Sequence, residues 1–449
     1  MKKTLLLSAM AFMAIVALNA QDVIKLGVND DIKTTLAAYT GTNVVLVIPA
    51  GYTNPQSVPT ATTAGTPPVT TYSWSLMDLS TLTNTTSSTK ITIKGDGSNP
   101  TLTLKTIVLP AALSRITLKD LTITGIEPLS KVPGNVVDPT VNYIFNQGAA
   151  VPTVVDSIVL DNCNISTFRS LVRFQSTAAV TAPTQRANNV IINNCVVSNF
   201  ADYGVVYNST TGGYFGPVKV MKSTFYGLGA TVFMLQKNST SIGISDCTFD
   251  NVVGASAKAL VDLSTLVAPV TITNCILGKT QLASGGLTIK TAGTLTITNC
   301  YSTTDWTAAT STATAGITGS FTAYNGASTD LFSSVSVSSA AAAGPPATPY
   351  MTTVGNYKIK DAAFAGKNSV GDPRWYYNST LAVNQVLSDK GISFNGTVVI
   401  NTQGLDIEVY SVLGKKVATS KTNISTANFQ KGIYVVRASG SNDSMKIII

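Results

Sequence analysis

A short unit that recurs through the middle of this chain restricts it to a stacked architecture. Residues 270–277 read VTITNCIL. Related units are IVLDNCNI at 158–165, VIINNCVV at 190–197, IGISDCTF at 242–249 and LTITNCY at 295–301. Two degenerate copies, ITLKDLTI at 116–123 and VKVMKSTF at 218–225, carry Leu121 and Ser223 where the others have cysteine. Taking that position as the marker, the units fall at 121, 163, 195, 223, 247, 275 and 300. Spacings of this size mark a solenoid, in which one unit buries its apolar face only against the next.

The unit also says which solenoid. Val270 and Ile272 share a parity, so they face one way in a strand. The parity switches across Asn274, so that Cys275 and Leu277 continue the inner face. Asn tolerates the left-handed backbone that a one-residue corner needs. The corner position holds Asn162, Asn194, Asn274 and Asn299 in four copies, and Asp120 and Asp246 in two. Strand, corner, strand, repeated at one register, predicts an all-β parallel β-helix with an Asn/Asp ladder and a row of cysteines inside it. An antiparallel sandwich would instead need Asn-Gly or Asp-Gly hairpins, which are scarce. Residues 85–375 resemble the pectate-lyase-like right-handed parallel β-helix superfamily.

The termini have different chemistry. Residues 1–20 read as a secretory signal peptide, with Lys2 and Lys3 before an apolar stretch and Ala20 before the expected cut. No later run is long and apolar enough to span a membrane, so the mature chain is expected to have no transmembrane segment. From residue 390 the repeat gives way to alternating strands, and a small β-sandwich is expected. Val409-Tyr410, Gly414-Lys415, Val417, Gly432-Ile433-Tyr434 and the final Lys446-Ile447-Ile448-Ile449 are similar to the C-terminal sorting domain of the type IX secretion system. Asn395-Gly396 stands where that domain usually has Asn-Pro. The resemblance implies export across the outer membrane, a secreted or cell-surface location, and the secretion machinery as a partner through residues 390–449.

Between these ends the expected layout is a β-helix over residues 21–375. First coils and cap take 21–110, with a short amphipathic helix over 32–39 covering the first coil. Main coils take 111–301, and a closing segment takes 302–375. A linker at 376–389 follows. Residues 53–72 read as a surface loop, and 125–155, 176–187 and 208–217 as insertions that could line one groove. Residues 357–367 (YKIKDAAFAGK) and Gly371-Asp372-Pro373-Arg374-Trp375 are similar to the end of the β-helix domain in a group of exported Bacteroidota proteins of unassigned function. Pro373 is expected to end the last coil and Trp375 to cover its core.

Charge and residue types limit the chemistry. Of the net +8, Lys2 and Lys3 leave with the signal and residues 391–449 hold another +3, leaving +3 for the body. That is no concentrated basic face, so nucleic acid is not an expected partner. With no histidine in the chain, Ser-His-Asp, Cys-His and His-metal chemistry are excluded. The five cysteines lack metal-site spacing and read as buried thiols. In polysaccharide lyases of the resembled superfamily, the sheet after the corner strand carries the site. There a Lys or Arg takes the proton α to a uronate carboxylate, and Ca2+ held by acids neutralises that carboxylate. Carried onto this chain, Arg173 and Lys237 are the candidate bases, with Arg169, Asp202, Tyr207, Lys258 and Asp262 on or beside the same strands. For polysaccharide binding the candidate residues are Arg169, Asp262 and an aromatic row of Tyr203, Tyr207, Tyr214 and Phe215. No acidic cluster suited to Ca2+ stands out, so no metal ligand is assigned. Three functions compete: a polysaccharide-binding surface protein, a lyase acting by β-elimination with Ca2+, and a structural or adhesive protein. The sparse catalytic residue types favour polysaccharide binding.

Overall fold

The computed structural model describes residues 21–449 except 59, 65–68, 74, 126–134, 138–142, 148–151, 175–184, 201–203, 209–212, 229–230, 254–257, 282–286, 309–311, 314, 336, 339–350, 354, 378–390, 395–396, 412–413 and 440–443. The expected signal peptide and most of the expected linker lie outside the described residues.

The repeat winds into a parallel β-helix of three sheets. Sheet 1 has 13 strands, and sheets 2 and 3 have 9 each. One coil runs through Val190–Asn193 on sheet 1, Val196–Phe200 on sheet 2 and Val206–Asn208 on sheet 3. The next runs through Val218–Met221, Thr224–Leu228 and Phe233–Leu235, paired in register with the first. Inward residues form one continuous core, including Ile192, Val197, Val206, Phe225, Phe233 and Phe249. Phe225 and Phe249 stack at 5.0 Å with planes 12° apart, and Phe233 meets both edge-on.

Each expected corner residue is left-handed. Asp120, Asn162, Asn194, Asp246, Asn274 and Asn299 have φ between 50° and 53°. Lys222, at the same register in a degenerate copy, has φ 48°. The side chains form the ladder. Asn162 Nδ2 donates to Asp120 Oδ1 at 2.7 Å, Asn194 to Asn162 at 2.8 Å, Asn274 to Asp246 at 3.0 Å and Asn299 to Asn274 at 2.9 Å. Beside it all five cysteines are buried and free. Cys195, Cys247, Cys275 and Cys300 each donate Sγ–H to the carbonyl two residues earlier, at 3.1–3.2 Å. Ser223 makes the same bond to Met221 at 2.6 Å, so a hydroxyl keeps the thiol's role in the degenerate copy.

A second left-handed column follows five residues after the corner, at Thr167, Asn199, Gly227 and Asn251. It bends the chain within sheet 2, whose pairing resumes beyond it as Phe200 with Leu228 and Leu228 with Val252. The inner face changes parity across it a second time, from Val197 to Phe200, Phe225 to Leu228 and Phe249 to Val252.

Helix Ile32–Ala38 covers the first coil with Ile32 and Leu36, and Asp31 caps its N-terminus. Four expectations change. Residues 53–72 are not simply a loop: Thr60–Ala64 and Val69–Ser73 form a hairpin, extended by Asn135–Val137 into a separate three-stranded sheet. Much of 125–155 is solenoid, since Tyr143–Gln147 joins sheet 3 and Thr153–Asp161 joins sheet 1. The coils run past residue 301, through Ile317–Thr318 and Phe321–Ala323.

The fourth change concerns the closing segment. It does not cap the end of the solenoid; it folds back along the outer face of sheet 2. Asn356–Ile359 pairs with Phe332–Ser334, and the Tyr357 ring packs 5.3 Å from both Tyr226 and Phe332. Phe364 sits between Tyr301 at 4.9 Å and Tyr324 at 5.4 Å. Gly371 N–H donates to Asn274 O at 2.7 Å, in a backbone conformation (φ 81°) and space where a Cβ would lie 2.8 Å from Thr248 Oγ1. Trp375 Nε1 donates to Thr224 Oγ1 at 2.7 Å. Arg374 donates to Asn194 Oδ1 at 2.7 Å and Asn194 O at 2.8 Å. In the ladder each later rung donates to the earlier one, so an amide at position 222 would bond Asn194 Oδ1; Lys222 has no amide, and Arg374 is a donor to that oxygen. This strap buries both faces of sheet 2, which is why TFYGL and TFDNV are buried at every position.

Residues 391–449 form two antiparallel sheets of three and four strands. Ile392, Val399, Ile407, Val409, Val436 and Ile447 make a core of their own.

Asn274 bears the corner, one ladder bond in each direction and the carbonyl that receives Gly371. Asn274→Ala is expected to cost about 2–3 kcal/mol from a strained left-handed residue and lost ladder bonds. Asn274→Gly relieves the strain and should cost roughly 1 kcal/mol less than the alanine change. Guanidinium titration of both variants checks the order; equal losses would remove corner strain from the account.

Candidate functional site

Sheet 3 presents one outward row along the solenoid axis. Strand register aligns Asn146 with Arg173, Arg173 with Tyr207, Tyr207 with Met234, Met234 with Asp262, Asp262 with Lys290 and Lys290 with Thr312. Alternation puts their neighbours inward: Val172 and Phe174, Val206, Phe233 and Leu235, Val261 and Leu263 are all buried. One residue per coil thereby points away from the core at the strand spacing of about 4.8 Å, and Asn146, Arg173, Tyr207, Met234 and Lys290 are at least partly exposed while Asp262 is buried.

Arg173 is held in place. Its guanidinium donates to Asn146 Oδ1 at 3.2 Å and lies 4.9 Å over the Tyr143 ring. Asp262 is buried, accepting from Gln236 Nε2 at 2.7 Å and from Ser264 N–H at 2.8 Å. Arg173 and Asp262 therefore share a row but stand three strands apart, roughly 14 Å at sheet spacing. No carboxylate neighbours the guanidinium along the row.

The other sequence candidates scatter. Lys237 is exposed in the turn after Phe233–Leu235, where its backbone N–H donates to Asn208 Oδ1 at 3.2 Å and its carbonyl accepts from Asn208 Nδ2. Arg169 is half-buried in the turn that leads into Ser170–Phe174. Lys258 is half-buried just before Ala259–Asp262. Tyr214 lies on a strand that extends sheet 1, with the Arg186 guanidinium 4.9 Å over its ring. Arg186 Nε reaches Asn188 Oδ1 at 3.0 Å, and Asn188 reaches Asp156 at 2.7 Å. Phe215, beside Tyr214, faces the core and is no part of an aromatic surface. Tyr203 and Asp202 lie outside the described residues. Of the named candidates, Arg173, Tyr207 and Asp262 come together.

Sequence reasoning missed Asn146, Tyr143, Met234 and Lys290. Lys290 was recoverable from parity alone, as the outward member of Leu287–Thr291 between inward Ile289 and Thr291. Asn146 and Tyr143 were hidden because their coil was read as an insertion.

Asp262 is the one carboxylate of this row, and among the described residues no three acidic or thiol side chains converge on one point; Ca2+ takes about six to eight oxygen ligands.

Comparison with known protein families divides the chain. Residues 71–228, from the external hairpin through strand Thr224–Leu228 of sheet 2, match a family described as a domain of unknown function (DUF4957). Residues 391–449 match the secretion system C-terminal sorting domain. This chain is cargo of the type IX secretion system. It is delivered to the cell surface or secreted, and no helix among the described residues is long and apolar enough to cross a membrane. No curated protein matches it.

The separate core of the tail makes a clean truncation possible. A cargo chain ending at residue 390 is expected to fold its β-helix and to stay inside the cell envelope. Protease shaving of whole cells against immunoblots of the envelope fraction reads this; surface delivery at the full-length level would remove the export role from the tail.

Proposed function

We propose that this exported protein binds an extended polysaccharide along the outer face of sheet 3, without cleaving it. The observation that carries the reading is the single row Asn146–Arg173–Tyr207–Met234–Asp262–Lys290, held in register by strand pairing. A linear polymer laid along the solenoid axis meets one outward side chain per coil. Arg173, fixed by Asn146 and the Tyr143 ring, offers donors to hydroxyls or a carboxylate with little rotamer entropy left to lose. Tyr207 offers a ring face for stacking, and Lys290 a second positive charge at the far end.

The lyase reading is supported by one feature, an ordered arginine on the sheet that carries the site in the resembled superfamily. Against it, β-elimination wants a base and a charge sink close together. Arg173 is already engaged by an amide and a ring, and Asp262 is satisfied by Gln236 and Ser264 roughly 14 Å away.

Affinity electrophoresis against a panel of neutral and acidic polysaccharides tests the proposal, with ultraviolet absorbance of unsaturated sugar followed on the same mixtures with and without Ca2+. Retardation by at least one polymer is expected, with Arg173→Ala weakening it roughly ten- to a hundredfold, as loss of a charged hydrogen-bond donor does. Flat absorbance is expected throughout. No retardation by any polymer would overturn the binding reading. A rise in absorbance that Arg173→Ala abolishes would replace it with the lyase.

A further inference from the structure

The strap encloses two carboxylates that the polysaccharide-binding reading does not use. Asp250 is fully buried between sheet 2 and the strap. Its Oδ2 accepts from the Tyr357 hydroxyl at 3.1 Å and its Oδ1 from Lys279 N–H at 2.7 Å. Ser328, at the start of the strap helix Ser328–Leu331, also faces it, and its Oγ lies where a Cβ on Gly278 would meet both groups. Asp372 is 1% exposed. Its Oδ2 accepts from Thr224 Oγ1 at 2.7 Å, its Oδ1 from Arg374 N–H at 3.0 Å, and its own N–H donates to Thr248 Oγ1 at 3.0 Å.

These carboxylates are among the polar contacts that tie strap to wall, beside the bonds that Gly371, Arg374 and Trp375 make. Asp250 reaches from the wall to Tyr357 on the strap, and Asp372 reaches from the strap to Thr224 and Thr248 on the wall. Tyr357 is itself the centre of the apolar contact, against Tyr226, Phe332 and Trp375. A change in the charge of either carboxylate therefore acts on the docking itself.

We propose that the strap, the described residues of 328–377, is a pH-responsive clamp, docked most firmly when Asp250 and Asp372 are protonated and loosened when they ionise.

Burial sets the direction, against the hydrogen bonds each carboxylate accepts, which favour its ionised form. Facing Asp250 are Tyr226 on the wall, Tyr357 and Ser328 on the strap, and Asp305 in the turn after the next coil, whose charge opposes ionisation. No cation is among them. Facing Asp372 are Arg374 at 3.4 Å, Asp246 and Tyr376; Arg374 favours ionisation and Asp246 opposes it. Burial pushes both carboxyls up to about 6. Tyr226 is raised by burial and Tyr376 is pushed up to about 12, so neither phenol titrates in the same window. Between the ordinary carboxylate range and about 6, the docked strap holds protons that the undocked strap releases. Docking is therefore strongest at the acid side of that window, weakens as pH rises through it, and stays weaker above it. Asp250, with no cation beside it, carries more of this dependence than Asp372.

Hydrogen exchange on the full chain reads the clamp directly, with rates corrected for the intrinsic pH effect. Protection of Phe332–Ser334 and Asn356–Ile359 amides is expected to fall at least about tenfold from roughly pH 5 to pH 7.5. Protection of Ile242–Ser245 on sheet 1, away from the strap, is expected to hold. In Asp250→Asn/Asp372→Asn the strap amides should change less than about twofold over the same range. Strap protection that does not vary with pH in the natural chain overturns the clamp, as does a pH response undiminished in the double variant. If the double variant does not fold, carboxyl titration of the natural chain by carbon NMR decides. Two carboxyls titrating near 6 support the clamp, and none above the ordinary range overturns it.

Discussion

Everything in this molecule hangs on a corner that one residue turns. A left-handed residue after the sheet 1 strand of each repeat unit, from Asp120 to Asn299, redirects the chain without breaking the hydrogen-bonded pairing of successive coils. Asn and Asp suit it twice over. They accept the left-handed backbone at small cost, and their side chains bond to the rung above and below, which a glycine cannot do. The thiol beside five of the corners fills a small inner space and donates to a carbonyl two residues back. Corner, ladder and thiol row together set the register, and register sets every row on the outside, including the one proposed to bind polysaccharide.

The degenerate copy at Lys222 and Ser223 illustrates how the constraint is met when the sequence departs from it. The backbone still turns left-handed at Lys222, and Ser223 keeps the inner bond. Only the ladder is interrupted, and there Arg374 comes in from 180 residues further along the chain to bond Asn194. The strap is thus not an appendage. It completes the ladder, covers the aromatic outer face of sheet 2 and brings Tyr357 onto Asp250. A solenoid sheet with an apolar outer face needs such a cover, since an exposed patch of Tyr226, Ile276 and Tyr301 would favour association.

On the opposite side of the argument stands sheet 3, which the strap leaves open. Its outward row is ordered by the same register, yet it is chemically mixed, with one orienting pair at Asn146 and Arg173 and one satisfied acid at Asp262. An ordered donor row without a base next to an acid is suited to holding a polymer more than to cleaving one. Export to the surface, carried by the tail, puts that row where polysaccharides are.

The sequence by itself determined the fold and its destination. Parity, the Asn corners and the cysteine marker are local properties of each unit, and stacking copies of one unit in register is the way they bury their faces, so the β-helix was legible. The sorting tail was legible because its residues recur as a compact pattern at the chain's end. It also placed Arg173, Tyr207 and Asp262 on one sheet. What it left undecided depends on contacts between distant segments. Whether Arg173 meets an acid is fixed by how many coils separate them, and that count depended on reading residues 143–147 as a strand within what appeared an insertion. Where Trp375 packs is fixed by a strap that returns over coils far earlier in the chain, with Asp372 and Arg374 finding partners that no local pattern names. Local periodicity encodes which way each side chain faces; only the folded chain decides what stands opposite it.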